Sequence, residues 1–264
     1  MKEKNIIITG GHSGMGLELT KILMDEGHKI GLIVRNETRK NDAIEVLGSS
    51  PNIDFFLADL ANRDEIQKAA LDIESKWSKI DVLFNNAGVL LDKLYFSDYG
   101  NELQLEINAI SPFLLTKKLF ALLENSKAPL VVNTATSGLQ KKKLENISQL
   151  KMPTKFTKLT GSYLDSKLTM VLLMNYLSNK NERIRIVSID PGAIKTKMTA
   201  GDGMPFWLKP IRNLIFKSPQ YGARNLYDGA FNPKYEESGI YISGGKIKEI
   251  KLSLNEEEVK QLTK

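Results

Sequence analysis

A tyrosine and a lysine four residues apart, in Tyr163-Leu164-Asp165-Ser166-Lys167, lie on one face of any helix that contains them. An ammonium beside a phenol stabilises the phenolate and is expected to draw the Tyr163 pKa down from its reference of about 10. Such a phenol donates a proton to a carbonyl oxygen that receives hydride, and accepts one in the reverse direction. The pair by itself is common on ordinary surface helices, so its meaning depends on its company. Glycines at 10, 14 and 16 follow the apolar run Ile6–Ile8 and precede the helical pattern Leu17, Leu19, Ile22, Leu23. Strand, glycine turn and helix make a pyrophosphate site: the backbone turns tightly, phosphate approaches closely, and the helix start favours negative charge. The spacing is Gly-x-x-x-Gly-x-Gly, not the Gly-x-Gly-x-x-Gly of most dinucleotide-binding domains.

The elements that must position these groups alternate between strand and helix. Lys29–Val34 reads as a second buried strand and ends at Arg35-Asn36, where a dinucleotide-binding fold faces the adenosine ribose. No carboxylate stands there to accept from a free 2′-hydroxyl. Arg35 does, with Arg39 one turn later, and a guanidinium forks onto a phosphate, which predicts NADP(H) over NAD(H). The alternative is an arginine that stacks on adenine or faces solvent. Helical residues near 42–47 lead to a third strand, Ile53–Ala58. Asp59-Leu60 closes it, either accepting from an adenine amino group or capping a helix that starts near Arg63. An amphipathic stretch, Ile66–Trp77, leads to strand Ile80–Phe84 and the small-residue turn Asn85-Asn86-Ala87-Gly88.

Gly100–Leu123 has helical periodicity, with Asn108 among its apolar residues and Pro112 predicting a kink nearby. A fifth strand, Leu130–Thr134, precedes Ala135-Thr136-Ser137-Gly138. A lysine-rich loop then runs to about Thr160, read as solvated, and a helix spans Tyr163 to about Leu177. Strand Ile184–Ile189 ends at Asp190-Pro191-Gly192. Gly201–Pro219 is irregular and apolar, with Met204, Phe206, Trp207, Leu208, Ile211, Leu214, Ile215 and Phe216. It is read as the substrate-covering segment, against two alternatives, a membrane contact aided by Lys209, Arg212 and Lys217, and plain packing. A helix over Pro219–Phe231, a strand over Gly239–Ile242 and a helix over Asn255–Thr263 complete the chain. The pattern predicts an α/β fold, a single domain over residues 1–264 with a doubly wound parallel sheet flanked by helices on both faces.

Composition narrows the function classes. With 264 residues and 42% hydrophobic content the chain buries a full core. It has no cysteine and two histidines, His12 and His28, so thiolate chemistry and a histidine-rich metal cluster are excluded. The net charge of +6 comes from scattered lysines apart from Lys141–Lys143. No aromatic residues interleave that run, so no nucleic-acid platform is indicated. The first strand begins within a few residues of Met1 and no apolar run reaches the roughly 18–20 residues of a membrane span. A cytoplasmic protein is expected, with peripheral membrane contact its one link to lipid.

Taken together, these motifs resemble the short-chain dehydrogenase/reductase family over nearly the whole chain and in order. Thr9–Gly16 is similar to its Thr-Gly-x-x-x-Gly-x-Gly motif, Asp59-Leu60 to its adenine-binding pair, and Asn85–Gly88 to its Asn-Asn-Ala-Gly motif. By that resemblance the nucleotide is held by Thr9, Gly10, His12, Ser13, Gly14, Met15 and Gly16. Arg35, Asp59 and Leu60 hold its adenosine half, and Asn86, Ala87 and Gly88 line it. Tyr163 and Lys167 reach the ribose, and Pro191, Gly192, Ile194 and Thr196 the nicotinamide side. Asn108, Thr136, Tyr163 and Lys167 form the implied catalytic set, with Asn108 holding a water in a proton relay. One departure stands out: the family's Asn-x-Ser-Ser reads Asn133-Thr134-Ala135-Thr136, so threonine holds the serine position. Ser137 serves only if the strand ends or bulges there. The insertion before Tyr163 and the apolar segment after Gly201 resemble the retinol-dehydrogenase-like branch. The resemblance implies a carbonyl or alcohol substrate, lipophilic in that branch, and a homodimer or homotetramer paired through the helices of Asn108 and Tyr163. A dinucleotide-binding scaffold without turnover is the alternative, resting on Thr136.

Overall fold

A computed structural model describes residues 2–207 and 212–264. Its first half runs β1 (Asn5–Thr9), α1 (Gly14–Asp25), β2 (Lys29–Val34), α2 (Glu37–Leu47), β3 (Ile53–Leu57), α3 (Arg63–Lys76) and β4 (Val82–Asn85). Then come α4 (Leu103–Leu105), a π-helical turn over Glu106–Ile110, α5 (Ser111–Lys118), α6 (Phe120–Glu124) and β5 (Leu130–Thr134). The second half holds α7 (Ile147–Lys151), α8 (Ser162–Lys180), β6 (Arg185–Ile189), α9 (Lys197–Ala200) and α10 (Arg212–Ile215). It closes with α11 (Pro219–Phe231), β7 (Ile240–Ser243), β8 (Lys246–Lys248) and α12 (Glu256–Thr263). One sheet contains the strands in the order β3-β2-β1-β4-β5-β6-β7-β8. All pairs are parallel except β7 with β8. The antiparallel β8 departs from the expected all-parallel sheet. Gly244 and Gly245, at φ 60° and 69°, turn the chain straight back where a parallel neighbour needs a long crossover.

The strands are buried on both faces because helices cover both. Ile7, Leu83, Val131 and Ile186 pack into the layer with α3, α5 and α8. Their neighbours Ile6, Ile8, Phe84 and Val132 pack into the layer with α1 and α11. Each buried isoleucine or leucine is worth about 1.5–3 kcal/mol, so a shift of one residue in any strand would still bury apolar groups. Register therefore rests on the turns at the strand ends, where the site lies.

The region expected to form one helix over 100–123 is broken. Ser111 N donates to the Glu106 carbonyl, a bond across five residues that widens the turn around Asn108. Pro112 lacks the N–H that the Asn108 carbonyl would take in a regular α-helix, so the regular ladder cannot pass this point. The predicted kink is this π-turn. The insertion before Tyr163 is not an open loop, since it contains α7 and Lys142 pairs with Asp165 at 2.9 Å. The α7 helix packs on α8, and α12 on α7. Residues 166–174 of α8 are buried without interruption.

Candidate active site

The end of β1 is tied to the end of β4 through one hydroxyl. Thr9 Oγ1 accepts from the backbone N–H of Asn86 and of Ala87, both at 3.0 Å. The Asn86 side-chain amide returns a bond to the Thr9 carbonyl at 3.0 Å. Gly10 sits at φ 68° and Gly14 at φ 55°, a region that glycine adopts without strain. A Cβ on Gly16 would lie 2.4 Å from the Gly10 carbonyl oxygen and 2.5 Å from Asn86 Nδ2, so no side chain fits there. Ser13 is exposed and Met15 half-buried at the start of α1. A Cβ on Gly14 would stand 3.6 Å from the Thr196 methyl, so the turn faces the chain that follows β6. There Gly192, at φ 90°, donates its N–H to Asp190 Oδ1 at 2.8 Å. Asn225 donates to the Pro191 carbonyl at 3.0 Å, Ile194 is buried, and Thr196 caps α9.

Arg35 emerges, exposed, from the end of β2. Arg39 is one turn into α2 and pairs with Asp42 at 2.9 Å. His12 reaches towards both, and its Nδ1 is buried without a partner. Its pKa is lowered, first by burial and then by Arg39, with Arg35 and Lys197 adding to the effect. Three cations and an orphaned ring nitrogen thus share one corner. Asp59 bonds Ala61 N at 2.9 Å, while Asn62 caps α3 by accepting from Asp64 and Glu65. The expected capping role of Asp59 therefore belongs to Asn62, three residues closer to the first helical turn. Leu60 follows Asp59, half-buried.

The four residues read as catalytic meet at the ends of β4 and β5. Asn108 Oδ1 accepts from Val89 N at 2.8 Å, and its Nδ2 donates to the Val89 carbonyl at 2.9 Å and to Ser166 Oγ at 3.0 Å. A Cβ on Gly88 would lie 3.0 Å from Asn108 Oδ1 and 3.3 Å from Lys167 Nζ, so both side chains close on that glycine. Lys167 donates to the Thr134 carbonyl at 2.8 Å, and burial lowers its pKa to about 8. β5 ends before Thr136 and Ser137. The Thr136 hydroxyl stands beside the Tyr163 phenol and favours its charged form, whereas Ser137 is exposed in the following turn.

The Tyr163 pKa moves opposite to expectation. Burial pushes it up to about 12, against a smaller lowering from Thr136 and with a further rise from Asp190. Spacing of four residues places Lys167 on the same helical face, but it does not report how much water the fold removes, and desolvation favours the neutral phenol. Ser166 and Asp190 were not singled out from sequence. Ser166 lies three residues from Tyr163, which was a usable signal, whereas Asp190 acts through the fold alone.

Around Tyr163 the surface is apolar. Leu90 and Met204 are buried against it, with Leu159, Met198 and Phe216 packed on the cluster. A Cβ on Gly203 would lie 2.3 Å from the Leu90 carbonyl oxygen, so the backbone there lies directly on the β4 side of the site. Phe206 and Leu214 are 83% and 86% exposed. Arg212 turns inward to the Thr199 hydroxyl at 3.3 Å and the Thr196 carbonyl at 3.2 Å. The segment is less irregular than expected, since it includes α10. Leu208, Lys209 and Ile211 lie outside the described residues.

Comparison with known proteins agrees with this geometry. The chain is 27% identical over 273 residues to "Retinol dehydrogenase 14" of Homo sapiens, covering 95% of this chain and 81% of that protein. Among solved structures, salutaridine reductase from Papaver somniferum superposes with a TM-score of 0.73 at 22% identity, covering 91% of this chain and all of that one. NADPH-bound carbonyl reductase from chicken fatty liver superposes with a TM-score of 0.72 at 17% identity, over 94% of this chain and 99% of that one. The sequence profile described as short chain dehydrogenase matches residues 4–149, more than half of the 264. The chain therefore belongs to the short-chain dehydrogenase family, with retinol dehydrogenases among its relatives.

Proposed function

We propose that this oxidoreductase transfers hydride between NADP(H) and a lipophilic carbonyl or alcohol. The observation that carries the reading is the Tyr163 phenol, buried in an apolar cluster with the Thr136 hydroxyl beside it. The residues fit a nicotinamide dinucleotide: the glycine turn leaves backbone where side chains would collide, and the orphaned His12 Nδ1 stands among Arg35, Arg39 and Lys197. When bound, the dinucleotide supplies or receives the hydride. In reduction, Tyr163 Oη donates a proton to the substrate oxygen. Thr136 Oγ1 donates a hydrogen bond to the same oxygen and stabilises the charge that develops on it. Lys167 would hold the ribose hydroxyls, and its positive charge would stabilise the phenolate left when Tyr163 gives up its proton. Asn108, whose side chain is committed to Val89 and Ser166, keeps the π-turn in place, and a water of the proton relay would meet its backbone. The corner of Arg35, Arg39, His12 and Lys197 would take the 2′-phosphate, which supports NADP(H) over NAD(H).

Residues 201–219 are the proposed cover of the substrate. Met204 and Phe216 face the Tyr163 cluster, and the substrate they favour is apolar. No described helix is long and apolar enough to cross a membrane, and a cytoplasmic protein is the location proposed. The scaffold alternative rests on Thr136, which still presents a hydroxyl to Tyr163. A homodimer or homotetramer paired through the helices of Asn108 and Tyr163 is the assembly proposed, with α7 packed beside α8. Sedimentation of the protein measures that directly.

Calorimetric titration with NADPH and NADH, on wild type and Arg35→Ala, tests the reading. A hydrogen bond to a charged group is worth about 1.5–3 kcal/mol, so NADPH should bind about tenfold or more tighter, and the advantage should collapse in the variant. Equal binding of both cofactors overturns the NADP preference. A screen of retinal and medium-chain aldehydes, with Tyr163→Phe as the inactive control, tests the substrate class.

A further inference from the structure

The hydroxyl beside the Tyr163 phenol belongs to a residue that stands just past the end of a strand. The ladder to β6 closes at Ala135, whose N–H donates to the Ile189 carbonyl at 2.8 Å. The Thr134 carbonyl is taken by Lys167. Beyond Thr136 the chain turns away through exposed Ser137 and Gly138, at φ 83°, into the insertion. Between these two points Thr136 is held by its own carbonyl, which accepts from Tyr241 Oη at 2.6 Å. Tyr241 lies on β7, 105 residues away in sequence, and is 2% exposed. Its ring packs in the same layer as Ala135 and Leu139.

Ser243, two residues along β7 on the same face, stands beside the Tyr241 phenol. Ser243 donates to Asp190 Oδ2 at 2.7 Å, and the other oxygen of Asp190 holds Gly192 N. A phenylalanine ring would fill the same space as Tyr241, so what the hydroxyl adds is the bond to Thr136. Threonine makes that bond matter more than serine would. Its β-branch restricts χ1, so the direction of its hydroxyl follows the backbone, and fixing the carbonyl fixes the hydroxyl.

We propose that Tyr241 is a positioning residue, which sets the Thr136 hydroxyl against the Tyr163 phenol from behind the strand. The proposal rests on the reading of Thr136 and Tyr163 as the acid pair of the site. Its test compares Tyr241→Phe, Thr136→Ala and the double variant, with NADPH and decanal as the probe aldehyde. A displacement of about 1 Å at such a group costs up to about a hundredfold. Tyr241→Phe should lower kcat about tenfold to a hundredfold, with KM for decanal and for NADPH within about twofold of wild type. The double variant should be no slower than Thr136→Ala alone. Multiplying effects, or a loss that falls on KM, would overturn the proposal.

A second measurement does not depend on turnover. With tyrosine labelled at ¹³Cζ, the Tyr163 resonance is assigned by its loss in Tyr163→Phe. In Tyr241→Phe it should move towards its position in Thr136→Ala. An unmoved resonance overturns the positioning role. A moved resonance in a protein that turns over no carbonyl supports the positioning role and overturns the oxidoreductase reading instead.

Discussion

The two sides of the site are built differently. On the dinucleotide side, one threonine hydroxyl takes two backbone N–H groups, an asparagine amide closes the turn, and Gly16 faces a carbonyl with no space between them. On the other side, the segment after α9 touches the site through Gly203, Met204 and Phe216, while Phe206 and Leu214 face outward. The first arrangement has one geometry because the hydroxyl and the amide that close it each have specified partners. The second is held by a few apolar contacts, which are non-directional and tolerate change. A nucleotide is the same in every turnover and rewards a rigid cradle. The proposed cover, which would admit and release a substrate, would not.

The largest test acts where the two sides meet. Tyr163→Phe removes the proton donor and should lower kcat by about 10²–10⁴-fold, while calorimetry shows dinucleotide affinity lower by no more than about tenfold, the loss of one hydrogen bond. A variant that still turns over at the wild-type rate would remove Tyr163 from the chemistry. Gly16→Ala should break the rigid side. A Cβ at 2.4 Å from a backbone oxygen forces the turn apart, so thermal unfolding should show a loss of about 1–3 kcal/mol, with NADPH affinity falling alongside. Unchanged affinity would show that the cradle is less constrained than its contacts imply.

The pH profile of carbonyl reduction should be set by the lysine. Tyr163, at about 12, stays protonated across the working range and remains a donor. Lys167, lowered to about 8, is charged below that pH and neutral above it, so kcat should be level at neutral pH and fall above about pH 8. A profile rising through pH 8 and 9 would point to a phenolate requirement. The smallest effect is expected on the outer side: Leu214→Ser should leave stability within about 0.5 kcal/mol. A large loss of stability would mean that this side is packed as firmly as the other.

The same contrast explains what could be read from the residues alone. β2, β5 and α11 match their expected bounds, because apolar runs end at polar or turn-forming neighbours. The glycine turn was legible because its restriction is local, a matter of φ and of room for a Cβ. β8 was missed because Lys246-Ile247-Lys248 is short, and only the paired glycines before it signal a hairpin. The direction of the Tyr163 pKa was missed for a different reason. Helical spacing reports which groups share a face, but desolvation is a sum over every element packed above them. Asn62 displaced Asp59 as the cap of α3 since both residue types suit the role and only the backbone chooses. Tyr241 carries no local signal linking it to Thr136.

The hairpin that ends the sheet also bears on how molecules behave towards one another. An open row of strand N–H and C=O groups is a template for another chain. Here the row ends in a three-residue strand whose Lys246 and Lys248 stand on one face. Two such edges brought together would set like charges opposite each other. The tight turn at Gly244-Gly245 thus sets a short, charged strand at this edge of the sheet, where a longer apolar one would invite another chain.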